Sequence, residues 1–235
     1  MFNGKMKAMT FSYDDGVTQD RRLVGIFNKY GLKATFNLNS GLLGLPGELV
    51  RDGVRIDHNK VSPDEVRTLY QGHEVAAHTL THPTLTRIAD DAEIVRQVEE
   101  DRLALSDLVG YKVVGFAYPG GGVNHNQRVA ELIRCHTGVR YCRTTDAERS
   151  FDLQDNLWQF RPTVYHHTDM DEMFRLGERF LHLKADRPQI LYIWGHAYEF
   201  DIRNEWARFE EFCKMMAGAP DIFYGTNKEV LLAGE

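Results

Sequence analysis

What the chain has little of sets the first bounds. Three cysteines in 235 residues, Cys135, Cys142 and Cys213, are an odd number with no CxxC spacing, which excludes a disulfide framework and a zinc ribbon. The expectation is buried thiols in a reducing compartment. No apolar run approaches the roughly eighteen residues needed to cross a bilayer, and the opening MFNGKMKAMTF has no continuous apolar stretch of the signal-peptide kind. A cytoplasmic location without a membrane span is therefore expected. Cations are also in deficit: 28 Lys and Arg against 34 Asp and Glu leave a net charge of −6, which would repel a phosphate backbone and argues against nucleic acid as a partner. Repeats, low-complexity tracts and Pro- or Ser-rich linkers are missing too, so nothing divides the chain.

What is present is enough for one sizeable core. With 43% hydrophobic and 26% charged residues, the composition is that of an ordinary globular protein, and residues 1–235 are expected to form a single domain. Short apolar runs alternate with helical patterns throughout. Candidate strands are Lys7 to Tyr13, Ala34 to Asn39, Glu74 to His78, Val113 to Tyr118, Tyr141 to Thr144, Leu157 to Val164, Ile190 to Gly195 and Ile222 to Tyr224. Between them, Leu23, Ile26, Phe27 and Tyr30 recur at helical spacing, Ser62 and Pro63 mark a helix start, and Ile94, Val98, Leu105 and Leu108 give the segment from Asp90 to Val109 an apolar side. Eight strands with intervening helices make an α/β fold, either a parallel barrel or an open doubly wound sheet. Both carry their reactive residues at the C-terminal ends of the strands. Asp14, Asp15, His78, the turn after Tyr118 and His196 all fall at such ends.

His78 and His82 have the HxxxH spacing that brings two imidazoles to one side of a helical turn and lets both reach one ion. Ten histidines in this length produce such a pair roughly 0.4 times by chance, so the spacing needs a third ligand beside it. Asp15 is the natural candidate. Asp90 and Asp91 show that an acidic pair alone means little, since theirs lies within a helical pattern. Asp14 and Asp15 differ in following an apolar strand and preceding Gly16, which permits a sharp turn.

Four segments in order, FSYDDG (Phe11 to Gly16), GHEVAAHTLTHPTL (Gly72 to Leu85), FAYPGG (Phe116 to Gly121) and ILYIWGH (Ile190 to His196), resemble the motifs of the polysaccharide deacetylase family, also called the NodB-homology or carbohydrate esterase 4 group. The similarity runs from about Lys7 to Glu229. It implies a distorted parallel (β/α) barrel that removes acetyl groups from sugars with a divalent ion, most often Zn2+, with Co2+, Ni2+ or Mn2+ as alternatives. It further implies Asp14 as base, Asp15, His78 and His82 as metal ligands, and His196 as general acid. The chemistry is coherent. An ion on one carboxylate and two imidazoles keeps positions open for water and a carbonyl, Asp14 can take the water's proton, and a protonated His196 can supply the proton a departing nitrogen requires.

The pattern also departs from the family's. Ala117 stands where the third motif usually has the Arg that orients the base, and Arg161 is the candidate replacement from a neighbouring strand. Gly120 replaces an aromatic residue whose backbone NH helps bind the oxyanion, a donor that Gly120 retains. Tyr118 in the same motif and Trp194 before His196 are candidate walls of the acetyl site. A fourth motif supporting His196 is not evident. Glu199 or Asp201 could orient its ring, while His125, His166 and His167 read as loop histidines or cleft linings.

The expected activity is N-deacetylation of an amino sugar or its oligomer. O-acetyl ester or small-amide hydrolysis would use the same ion and base. A binding module that has lost turnover but kept its ion would have no use for Asp14. Two histidines and a carboxylate also form the facial triad of iron oxygenases, which oxygen-dependent turnover would reveal.

Overall fold

The computed structural model describes residues 1–234. Among them lie ten strands, β1 (Lys7–Asp14), β2 (Ala34–Leu38), β3 (Glu48–Arg51), β4 (Val54–Asp57), β5 (Glu74–Ala77), β6 (Gly115–Ala117), β7 (Tyr141–Arg143), β8 (Val164–Tyr165), β9 (Gln189–His196) and β10 (Ile222–Tyr224). The helices are α1 (Asp20–Tyr30), α2 (Pro63–Leu69), α3 (Asp91–Val109), α4 (Gln127–His136), α5 (Met170–His182), α6 (Glu199–Ile202), α7 (Trp206–Met216) and α8 (Asn227–Leu231).

Eight strands form one sheet, seven of them in the order β7-β6-β5-β2-β1-β9-β8 and β10 paired beside β1, with every pairing parallel. β9 follows β1 along its whole length, from Lys7↔Gln189 to Asp14↔His196. The other edge of β1 is shared: β10 takes the first half and β2 the second, ending on Asp14↔Asn37. All eight residues of β1 are buried, as expected of a parallel strand covered on both faces. The sheet curls until its outer strands are bridged by residues 160–165, where Phe160 N donates to Cys142 O of β7 at 2.9 Å and Thr163 N to Tyr192 O of β9 at 2.8 Å. The curled sheet is the distorted (β/α) barrel expected.

The departures have local causes. The expected strand from Leu157 to Val164 divides into a 3-10 turn, Leu157–Gln159, and the two-residue β8. Asn156 caps that turn by accepting from Trp158 N at 3.1 Å, and Pro162 has no NH to continue a ladder. β6 is also shorter than expected. A β3–β4 hairpin outside the main sheet went unread, although its turn is written in the sequence: Asp52 and Gly53 have φ of 52° and 77°, the two left-handed residues of a tight hairpin turn.

Helix starts follow their capping chemistry. Ser62 N donates to Glu65 Oε1 at 3.1 Å ahead of Pro63. Asp90 is the cap of α3, accepting from Ala92 N at 3.0 Å, so the Asp90–Asp91 pair begins the helix and does not lie inside it. Cys142 and Cys213 are buried as expected, but Cys135 is exposed on α4.

Candidate active site

Strand register brings the site together. Asp14 ends β1 between Asn37 on one neighbouring strand and His196 on the other. Its side chain is 2% exposed, and Oδ1 accepts from Asn37 Nδ2 at 2.8 Å and from Arg143 Nη2. Oδ2 is left facing His78 Nε2 at 3.9 Å. Asp15 follows with φ at 82°, a left-handed conformation that a residue with a side chain rarely adopts, and this turns its carboxylate toward the two histidines. Gly16 must be small here, because a Cβ would stand 2.8 Å from Leu38 Cδ2.

His78 directly follows β5 and His82 lies in the loop beyond it. The HxxxH pair is therefore not on a helical turn: Thr79 and His82 have φ of 72° and 62°, and these reversals bring the rings to 4.9 Å between centroids. His78 Nδ1 bonds the carbonyl of Ala117 at 2.8 Å, which assigns the proton to that nitrogen and leaves Nε2 a bare lone pair. Asp15 Oδ1 stands 3.8 Å from His78 Nε2 and 3.4 Å from His82 Nε2. One ligand atom from each of the three residues lies within 4.8 Å of the others. Asp15 Oδ1 and His78 Nε2 are moreover buried with no hydrogen-bond partner, a costly arrangement that coordination to a divalent ion would relieve. The donor set fits such an ion.

Other groups hold Asp15 as an anion. Burial alone would raise its pKa, but the His58 hydrogen bond to Oδ2, at 3.1 Å, together with Lys60, His196 and His82, keeps it well below the ordinary carboxylate range. Lys60 Nζ also donates to the Asp15 carbonyl at 2.8 Å. Burial pushes His78 down to about 4 and lowers His82. Both rings are thereby kept neutral, the form in which an imidazole can hold a metal ion.

His196 has the opposite bias. Its Nε2 points toward Asp15 Oδ2 at 4.0 Å, while Nδ1 meets Glu199 Oε1 at 3.0 Å. Burial opposes a charge on the ring, yet Glu199 outweighs it, with Asp15 and Asp14 adding to the effect, and the pKa rises to about 9. Glu199 is fully buried and heavily donated to. Oε1 accepts from Arg51 Nη1 at 2.6 Å, from Tyr165 OH and from His196, while Oε2 accepts from His196 N at 2.9 Å. Burial would raise this carboxyl, but His196, His166 and Arg51 bring it down to about 2. Glu199, not Asp201, is the ring's partner; Asp201 accepts from Trp206 Nε1 at 2.7 Å and from Gln19 at 3.1 Å.

The expected Arg161 contact is a correction. Arg161 is exposed and bonds Glu148 at 3.1 Å, whereas the guanidinium on Asp14 belongs to Arg143, fully buried at the end of β7. Register explains the choice, since Arg143 is the Cα partner of Ala117, so the neighbouring strand supplies the charge at the level where the third motif lost it. Arg143 also lies under the Trp194 ring, 4.6 Å from its centroid. Trp194 stacks on Tyr165 at 4.1 Å, and both line a cavity of about 380 Å³ with Tyr118, Gly120, Gly121, Tyr198 and the reactive residues. Gly120 has φ of 81°, and a Cβ there would meet Thr84 Oγ1 at 2.9 Å.

His166 and His167 are buried, neither solvated nor lining the cavity. His166 stacks on Phe200 at 4.3 Å, and His167 faces Asp52 at 3.3 Å. His125 bonds Asn124 Oδ1 at 2.9 Å outside the cavity wall. Sequence reading passed over Asn37, Arg51, His58, Lys60 and Arg143. Arg143 and Asn37 were findable by the strand-end rule, and Arg51 by the DG turn that follows it.

A sequence model described as polysaccharide deacetylase matches residues 3–137. No curated protein matches the sequence. Solved structures share the fold. A polysaccharide deacetylase described as putative, from Mycobacterium smegmatis, superposes with a TM-score of 0.65 at 16% identity, over 98% of this chain and 90% of that one. The Streptococcus pyogenes deacetylase PplD in complex with acetate gives 0.51 at 19% identity, over 64% of this chain and 61% of that one. A CE4 family pseudoenzyme from Bacillus anthracis gives 0.53 at 17% identity, over 98% of this chain and 66% of that one. This chain thus spans less than two thirds of the length of the last two.

Proposed function

Because this chain belongs to the polysaccharide deacetylase family, we propose that it is a metal-dependent hydrolase that removes N-acetyl groups from an amino sugar or its oligomer. The observation that carries the reading is the meeting at one cavity of an anchored carboxylate, Asp14, a closely spaced Asp15–His78–His82 cluster and a proton-bearing His196.

Asp15, His78 and His82 would hold a divalent ion, which when bound would supply Lewis acidity toward the acyl carbonyl and water. Asp14 uses Oδ2 as base, because Asn37 and Arg143 occupy Oδ1. Gly120 and Gly121 line the cavity, and their backbone NH groups are the candidate donors to the oxyanion that would develop as water adds to the carbonyl. His196, protonated and aimed into the site, gives its Nε2 proton to the departing nitrogen, and Glu199 stabilises the cation beforehand. Trp194 and Tyr165 form the apolar wall beside the acyl group.

A binding-only reading draws support from the pseudoenzyme relative and from the altered third motif. Against it stands the investment of two buried donors in Asp14, a group with no role in retention of a ligand. Acetate release should be followed from a panel of N- and O-acetylated sugars and small amides, after chelation and after restoring Zn2+, Co2+, Ni2+ or Mn2+. Release that is abolished by chelation, restored by an ion and lost in Asp14→Asn supports the hydrolase. No release across the panel by any ion-loaded sample would end it.

A further inference from the structure

The β3–β4 hairpin sends one side chain into the cavity that the proposed reaction does not use. Arg51, the last residue of β3, lines the cavity wall with its side chain 32% exposed, while the Glu199 it bonds is fully buried behind it. Its donors can be tallied. Nη1 spends both hydrogens, on Glu199 Oε1 at 2.6 Å and Tyr198 OH at 3.2 Å, and Nη2 spends one on Tyr165 OH at 2.7 Å. Nε–H and the second Nη2–H are left over on a side chain that lines the cavity.

Resting on the deacetylase reading, we propose that Arg51 recognises a carboxylate on the substrate, so that the acetylated molecule this site selects is an acidic sugar or a similar acylated acid. Three physical arguments support this. A guanidinium with donors left over is best completed by a carboxylate, whose opposite charge and two acceptor oxygens match its planar fork in a way that a single neutral hydroxyl does not. His196 apart, the fixed charges around the cavity cancel: Asp14, Asp15 and Glu199 are matched by Arg143, Lys60 and Arg51, so the site does not share the repulsion expected from the chain's net charge of −6. Finally, Arg51 cannot swing away. Its partners fix it from three sides, and Asp52 beside it is held by His167 at 3.3 Å, so the cation is preorganised on the wall.

The test uses a matched pair, N-acetylglucosamine and N-acetylglucosaminuronic acid, which differ only in a hydroxymethyl against a carboxylate. Binding to the Zn2+-loaded Asp14→Asn protein is measured by calorimetry, with acetate release by the loaded wild-type protein measured in parallel. The acid should bind at least 10-fold tighter than the neutral sugar, with a preference that weakens at high salt. Arg51→Gln should remove most of that ratio, and Arg51→Lys should restore part of it. If Arg51 serves only to hold Glu199, the substitution lowers both affinities together and leaves the ratio intact, which overturns the proposal. Equal affinity for the two sugars, or binding of neither, overturns it as well. Acetate release from neutral sugars without a carboxylate preference would sink this inference alone; no release from any substrate would sink the deacetylase reading itself.

Discussion

Arg143 and Asp14 form a buried pair in which each member depends on the other. Both are essentially inaccessible to water, so removing the guanidinium would leave a buried carboxylate short of its cation, a loss of about 3–5 kcal/mol in comparable pairs. Arg143→Ala should show that loss in urea denaturation, and its acetate release should fall by about 10²-fold as the base loses its orientation. Arg143→Lys keeps the charge without the planar fork and should recover stability more than rate. Full recovery of both would show that charge alone matters there. His196 makes a second residue-scale prediction. With a folded pKa of about 9 against an ordinary 6.5, the ring's stabilising contribution is complete below pH 6.5 and is lost as pH rises through about 9. In the metal-free protein, NMR of the ring should find its titration near 9, and Glu199→Gln should bring it down. A value at or below 6.5 in the unsubstituted protein would refute the Glu199 pairing.

At the scale of elements, what could be read from the sequence followed distance along the chain. Asp14, Asp15, His78, His82 and His196 were legible because each belongs to a short local pattern at the end of an apolar strand, and strand ends are where parallel sheets expose side chains. Arg143 was not, because only the β6–β7 register places it opposite Ala117, and register is a non-local property. The β8 region failed for another reason: apolar residues from Leu157 to Val164 suggested one strand, while Asn156 and Pro162 imposed turns that outweighed them. The hairpin was the most consequential omission, since it and the residues just beyond it deliver Arg51, His58 and Lys60 to the site. His58 gives that element its own test. By holding Asp15 Oδ2 it leaves Oδ1 directed at the histidines, and such outer partners are typically worth 10–100-fold in metal affinity. His58→Ala should weaken Zn2+ binding by about that factor in calorimetry, and His58→Gln, which retains a donor, should weaken it less. Unchanged affinity in His58→Ala would separate His58 from the ion.

For the molecule as a whole, the candidate Asp15–His78–His82 cluster sits where the fold's central strands meet, so the proposed metal occupancy would be linked to global stability. Asp15 continues from β1, which is paired to β2, β9 and β10, and His78 continues from β5; three ligands drawn from two parts of one sheet are correctly spaced only while that sheet is intact. The unfolded chain has no such spacing, so an ion bound at the proposed site would favour the folded state and stabilise it by mass action. Free Zn2+ at about 100 times its dissociation constant should add about 2.7 kcal/mol. For a chain of this size that corresponds to a rise in Tm of roughly 5–10 °C over the chelated protein. Asp15→Ala should abolish the rise, because the remaining imidazoles do not make a three-ligand site. Asp14→Asn should preserve most of it, because Asp14 is held by Asn37 and Arg143 and lies outside the cluster. Scanning calorimetry of the three proteins with and without Zn2+ separates the base from the ligand independently of any substrate. A rise lost equally in both variants would mean that Asp14 also binds the ion, and the division of roles between the two adjacent aspartates would have to be withdrawn.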